Sequence, residues 1–135
     1  MTDRAQIPAD FAHLLDIDVA TFATVGPTGY PQVSAIAFLA EDGVIKTSMH
    51  PSRQKYINAV REGKATYFFV DPADQYRTLE VRGDITVEDD ADLSYLAHQG
   101  EKYGRTVEGF KGEKDNRKVV ILTPTRARVW EVGTY

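Results

Sequence analysis

Over residues 78–88 the chain alternates without a break. Leu79, Val81, Gly83, Ile85 and Val87 fall on one face of an extended strand, with Glu80, Arg82, Asp84, Thr86 and Glu88 on the other. This period-two pattern predicts a long strand with one buried face, and Gly83 at its middle marks a bulge or bend of the kind by which small barrels turn corners. Residues 19–25 are β-branched and aromatic, and the turn signal at 26–29 hands the chain to residues 32–40, which predicts a hairpin. Residues 32–40 are apolar on both faces, Val33, Ala35, Ala37 and Leu39 against Ile36 and Phe38. They predict one strand buried twice, as in a barrel strand that also meets a ligand or a partner subunit. Further strands are predicted at 44–48 after the tight turn 41–43, and at 65–70 before a polar loop at 71–75. The last two are expected at 118–122 and 126–132, divided at Thr123-Pro124.

Helical spacing occurs in three places. Residues 8–15 carry Phe11, Leu14 and Leu15 on one side with Pro8 near the start. After Pro51, residues Tyr56, Ile57 and Val60 recur at helical intervals until Gly63 stops the run. Asp89-Asp90 predicts an N-cap for a third helix with Leu93, Leu96, Ala97 and Tyr103 as its stripe, and the polar, glycine-containing residues 105–116 predict a mobile loop. Six or seven strands in hairpin succession with two or three peripheral helices point to a mainly β fold, a small antiparallel barrel.

Composition narrows the function. At 135 residues and 15.1 kDa the expectation is a single domain over 1–135, of the soluble globular kind given 42% hydrophobic and 27% charged residues. The N-terminal residues lack the apolar segment of a secretory signal, which predicts a cytoplasmic protein. The absence of cysteine removes thiol catalysis, disulfides and cysteine-ligated metals, and His13, His50 and His98 stand in no metal-ligand spacing. A net charge of −4 tells against nucleic acid as a partner, so any anion site must be a local patch.

One such patch is visible. The strand at 44–48 ends in Thr47 and Ser48, turns at His50-Pro51, and leads into Ser52, Arg53, Lys55 and, one turn on, Asn58. Unpaired N–H groups and the positive end of the helix dipole favour an anion at a helix start, where cations are normally avoided. Arg53 and Lys55 placed there are best compensated by a bound anion, with phosphate the obvious candidate.

These residues, Thr47-Ser48 and Ser52-Arg53-Gln54-Lys55 with Asn58, together with the LEVRGDITVE strand and the closing RVW, resemble the split-barrel flavin-binding superfamily that includes pyridoxamine 5′-phosphate oxidase. More closely, the chain is similar to the coenzyme F420-dependent reductases of actinobacteria, from Phe11 to about Trp130. The resemblance implies a homodimeric split barrel with two deazaflavin or flavin sites at the dimer interface. It implies that Ser52, Arg53, Lys55 and Asn58 match the phosphate-binding motif and that Thr47 and Ser48 lie near the polyol chain and ring. It also implies that Gln75, Tyr76, Arg77 and Thr78 reach the cofactor of the partner subunit. Gln54 departs from the Ser-Arg-Lys run of the flavin mononucleotide (FMN) branch. F420 carries an oligoglutamate tail beyond its phosphate, and Arg61, Lys64, Arg77, Arg117 and Lys118 are the cations available for it. The expected activity is hydride transfer between the deazaflavin and a small organic acceptor, with the proton supplied by Tyr76, His50 or water. FMN in the same pocket and a non-catalytic cofactor-binding protein are the alternatives. An oligonucleotide-binding barrel is disfavoured by the acidic charge and the lack of aromatic-basic alternation.

Overall fold

The computed structural model describes residues 6–132, which form one seven-stranded antiparallel sheet, curled into a half-barrel, and three helices. The strands are β1 (Ala20–Val25), β2 (Pro31–Ile36), β3 (Leu39–Glu41), β4 (Val44–Met49), β5 (Lys64–Asp71), β6 (Asp74–Asp89) and β7 (Lys118–Trp130). A 3₁₀ helix (Ala9–Asp16) precedes them, α1 (Gln54–Glu62) follows β4, and α2 (Ser94–Lys102) follows β6. The sheet order is β2-β1-β5-β6-β7-β4-β3. The mainly β antiparallel barrel expected from the pattern, and the split barrel implied by the resemblance, are therefore the architecture found.

The β6–β7 ladder is its longest feature, running from Thr78 opposite Trp130 to Asp89 opposite Lys118. Arg82 pairs with Arg126 while Gly83 pairs with Pro124, so Thr125 is one extra residue on β7. The break expected at Thr123-Pro124 is this bulge. Proline has no N–H to give the ladder, and one unpaired residue lets the strand bend and continue. A Cβ on Gly83 would lie 2.3 Å from the Thr123 carbonyl oxygen and 2.5 Å from Leu122 Cδ2, so only glycine fits the bend. The alternating residues of β6 bury Leu79 and Val81 completely, against Phe22, Tyr67, Phe69, Val120 and Leu122. Edge-to-face rings knit this core, with Phe22–Tyr67 and Phe38–Phe69 centroids 5.1 and 5.3 Å apart.

β2 and β3 are consecutive in the chain yet form opposite edges of the sheet. Three Cα steps join Ile36 to Leu39, at most about 11 Å, so the sheet must curl until its edges nearly meet. Residues 32–40 are thus two strands and not one. Ala37 and Phe38, at the crossing, lose their ladder partners and are served by side chains. The Phe38 N–H donates to Tyr103 Oη (3.0 Å), its carbonyl accepts from Lys102 Nζ (3.0 Å), and the Ala37 carbonyl accepts from Thr47 Oγ1 (2.8 Å). Nor is this stretch buried twice within the chain, since Val33 is 63% exposed.

Three other expectations shift. The loop expected at 71–75 is a tight turn in which Asp71 faces Asp74 and accepts the Ala73 N–H at 2.9 Å. Asp90 rather than Asp89 serves the start of α2, taking the N–H groups of Tyr95 and Leu96 at 2.9 and 3.0 Å while Asp92 takes that of Ser94 at 3.1 Å, and Asp89 ends β6 in an ion pair with Lys118. Helix α1 buries Asn58 and Ala59, leaving Ile57 and Val60 exposed. A small residue, an amide that hydrogen-bonds to β1 and β2, and the partly buried Tyr56 dock this helix, so Ile57 and Val60 are free to face outward. Its end is as expected, with Gly63 at φ 69° closing onto the Ala59 carbonyl at 2.8 Å.

Candidate anion-binding site

β4 stops at Met49 because the chain reverses at His50-Pro51, where the Arg53 N–H closes onto the His50 carbonyl at 3.1 Å. Arg53 is the N-cap of α1, extended at φ −76°, ψ 139°, and its carbonyl accepts the Tyr56 and Ile57 N–H groups. Ser52 and Arg53 therefore precede the first helical turn that they were expected to occupy, and Lys55 lies within it. No side chain caps this helix.

A cleft of about 470 Å³ opens at this turn. One wall is Ser48, His50, Ser52, Arg53 and Lys55, and the other is formed by Phe110, Lys111, Gly112, Glu113 and Arg117. Arg53, Lys55, Lys111 and Arg117 thus face a single carboxylate, Glu113. Arg117 comes from a distant part of the chain, carried here by the pairing of β4 with the start of β7, where Met49 faces Lys118.

Arg117 is the most informative of these residues. It is only 8% exposed, its Nε donates to Ser48 Oγ and its Nη1 to the Glu113 carbonyl, both at 2.9 Å, and its guanidinium lies over the Phe110 ring. No carboxylate of the described residues lies within ion-pair distance of it. Burial lowers its pKa, and Arg53 lowers it further against the opposing pull of Asp90 and Glu113. Asp90 is committed to the N-terminus of α2. Lys55 is likewise pushed down, first by burial and then by Arg53, and donates to Ser34 Oγ at 3.3 Å. Cations that disfavour one another's charge in a shared cleft are stabilised together by an anion.

The sequence had placed Arg117 only among cations for a cofactor tail. Its role in the cleft was hidden because it depends on strand pairing across 69 residues of chain.

Other expected residues are dispersed differently. The Thr47 hydroxyl is fully buried and spent on the Ala37 carbonyl, and the Ser48 N–H is held by Gln99 at 2.9 Å. Asn58 is fully buried and lines no part of the cleft, its Nδ2 donating to Thr24 Oγ1 and Gln32 Oε1 and its Oδ1 accepting from Gln54 at 2.7 Å. Gln75, Tyr76, Arg77 and Thr78 begin β6 and line no part of this cleft. Arg77 stacks on Phe11 and pairs with Asp10, Asp71 and Glu131. Arg61 is likewise bound to the Val25 carbonyl and Glu62, and Lys118 to Asp89.

A larger cavity of about 650 Å³ beside the 3₁₀ helix is lined by Glu41, Asp42 and Asp84 and by no Lys or Arg, so it does not suit a phosphate. Among the described residues no cluster of side chains could hold a metal ion, and no helix is long and apolar enough to cross a membrane.

Fold and cleft together define a split barrel with a cationic site at the start of its first α-helix. The chain belongs to the pyridoxamine 5′-phosphate oxidase family, whose model matches residues 9–131. Among solved structures it is similar to an F420 reductase, with 27% identity over 90% of this chain and 98% of that one and a TM-score of 0.83. A conserved hypothetical protein of Mycobacterium tuberculosis shares the fold at 20% identity, over 97% of this chain and 88% of that one (TM-score 0.69). General stress protein 26 of Bacillus anthracis does so at 16%, over 89% and 90% (TM-score 0.68). The comparison with curated proteins gave no match.

Proposed function

We propose that this protein is a coenzyme F420-dependent oxidoreductase, transferring a hydride between the deazaflavin and a small organic acceptor, with the cofactor's phosphate in the cleft of Arg53, Lys55 and Arg117. The observation that carries the reading is Arg117, a buried guanidinium with no carboxylate partner among the described residues, facing a cleft that three further cations share. A phosphate suits it because each of these groups can donate to one oxygen while the anion relieves their mutual repulsion. The bound deazaflavin would supply the hydride chemistry.

The chain's own residues bind and orient. Arg53 and Lys55 donate from the α1 side and Arg117 from the β7 side, while Ser48 Oγ holds Arg117 in place. Asn58 fixes α1 to β1 and β2, so its part is to position Arg53 and Lys55. Thr47, with its hydroxyl spent on the strand crossing, lines no part of the cleft and anchors the strand that carries Ser48.

Homodimerisation belongs to the same proposal. The outward rows Ala35–Thr21–Phe68 and Val33–Ala23–Thr66 form a sheet face with little charge, and Val33 and Phe68 stand exposed on it. Covering such a face with a second copy removes apolar surface from water. Gln75 and Tyr76, exposed and not lining the cleft of their own chain, are on this reading the residues that would reach the partner's cofactor.

FMN is the second reading, since it too carries a phosphate on a polyol chain. The F420 reading rests on the 27% identical F420 reductase and on Lys111, an exposed cation on the cleft wall suited to an anionic tail. Titrating the protein with F420 and with its phosphate-free deazaflavin core tests the site. F420 should bind at least tenfold more tightly, about 1.4 kcal/mol; equal affinities would remove the phosphate from the cleft.

A further inference from the structure

His50 faces the same cleft as the cations. Its Nδ1 lies 3.1 Å from the Ser52 backbone nitrogen, whose N–H points to it, and 2.7 Å from Ser52 Oγ. A backbone N–H can only donate, so Nδ1 must be the unprotonated acceptor and Nε2 carries the hydrogen. Nε2 in turn lies 3.0 Å from the carboxylate of Glu113, the one acidic side chain of the cleft, which is largely exposed while His50 is largely buried. Glu113 is also tethered through its carbonyl to Arg117 Nη1. The local backbone thus leaves Nε2–H as the donor of the imidazole, aimed into the cationic cleft, where a carboxylate of the protein itself accepts from it.

We propose that His50 is a further anion ligand of this site and that Glu113 is its resting partner, exchanged for the phosphate of the incoming ligand. The inference rests on the phosphate reading above and adds a residue and a competition to it. Ligands carrying a phosphate would gain a fourth donor from His50 Nε2–H, and the Glu113 carboxylate would move aside into solvent.

Inorganic phosphate and nitrogen-15 NMR on the full chain test this directly. Phosphate should shift the His50 Nε2–H and Arg117 Nε–H signals together, with the same saturation curve. If the Arg117 signal moves and the His50 signal does not, the exchange is wrong while the phosphate site stands; if neither moves, both readings fall. A mutant cycle on F420 affinity separates exchange from general charge repulsion. Glu113→Ala should tighten binding roughly two- to fivefold. The gain should persist at high salt and should vanish in the His50→Phe background. His50→Gln, which keeps a donor, guards against a folding defect in the Phe variant and should retain part of the gain. An equal gain with and without the imidazole, or no gain at all, would overturn the proposal.

Discussion

Replacing Arg117 with Met separates a binding role from a structural one. The variant keeps most of the apolar stem but loses the guanidinium over Phe110 and two hydrogen bonds, to Ser48 Oγ and the Glu113 carbonyl. Hydrogen bonds of a charged group contribute about 1.5–3 kcal/mol each, so the loss is roughly 3–6 kcal/mol. Against it stands the cost of burying a cation with no carboxylate partner, several kcal/mol per ion, which the variant no longer bears. The two offset, and stability should change by no more than about 1–2 kcal/mol, a few degrees of Tm in a chain of this size. Cofactor affinity has no such compensation. One or two charge-assisted bonds to a phosphate are lost, so F420 should bind at least tenfold more weakly. Differential scanning fluorimetry and fluorescence titration on the same preparation measure both. A Tm lowered by more than about 10 °C with unchanged affinity would make Arg117 a strut of the 105–117 segment and refute the reasoning.

Four further predictions concern Lys55, the bend at Gly83 and the dimer. Lys55→Ala should weaken F420 binding roughly ten- to a hundredfold with little change in fold stability, and an unchanged dissociation constant would return Lys55 to the solvated surface. The Lys55 pKa in the free protein lies below that of an ordinary lysine, and an anion favours the charged form. Affinity should therefore be full below that pKa and fall as pH rises through it, sooner than for an unperturbed lysine; a dissociation constant flat from about pH 7 to pH 11 would contradict this. Gly83→Ala, with its Cβ driven into the Thr123 carbonyl, should cost about 1–3 kcal/mol in chemical denaturation, and a neutral result would mean that the bulge adjusts freely. Light scattering should give twice the 15.1 kDa chain mass, and Val33→Glu should lower it; a monodisperse 15.1 kDa species at micromolar concentration would exclude the proposed dimer.

What the sequence disclosed and what it hid divide along local and long-range lines. The buried face of β6 and its bend at Gly83 were legible because alternation and a lone glycine in a strand are local signals. The Arg53 and Lys55 arm of the site was legible for the same reason, as a strand, a turn and a helix start lie within a few residues. The break at Ala37-Phe38 was not, because it exists only to bring two sheet edges together, and its replacement hydrogen bonds come from Lys102 and Tyr103. Helix α1 was legible as a helix but its facing was not, because Asn58 reaches Thr24 and Gln32 and turns Ile57 and Val60 outward while Tyr56 and Ala59 pack on the core. Arg77 read as a free cation, since nothing local shows that Asp10, Asp71 and Glu131 converge on it.

The choice of cofactor is the central claim, and a fluorescence titration with F420 and FMN at two ionic strengths tests it most directly. Arg61, Arg77 and Lys118 are taken up by partners within the chain and Lys64 lines a different cavity, which leaves Lys111 on the cleft wall to meet a tail beyond the phosphate. F420 should bind more tightly than FMN at low salt, and the difference should narrow as salt rises because exposed tail contacts are screened over about 10 Å at 0.1 M. Tighter binding of FMN, or an F420 affinity indifferent to the length of its glutamate tail, would contradict the account and give the site to the flavin.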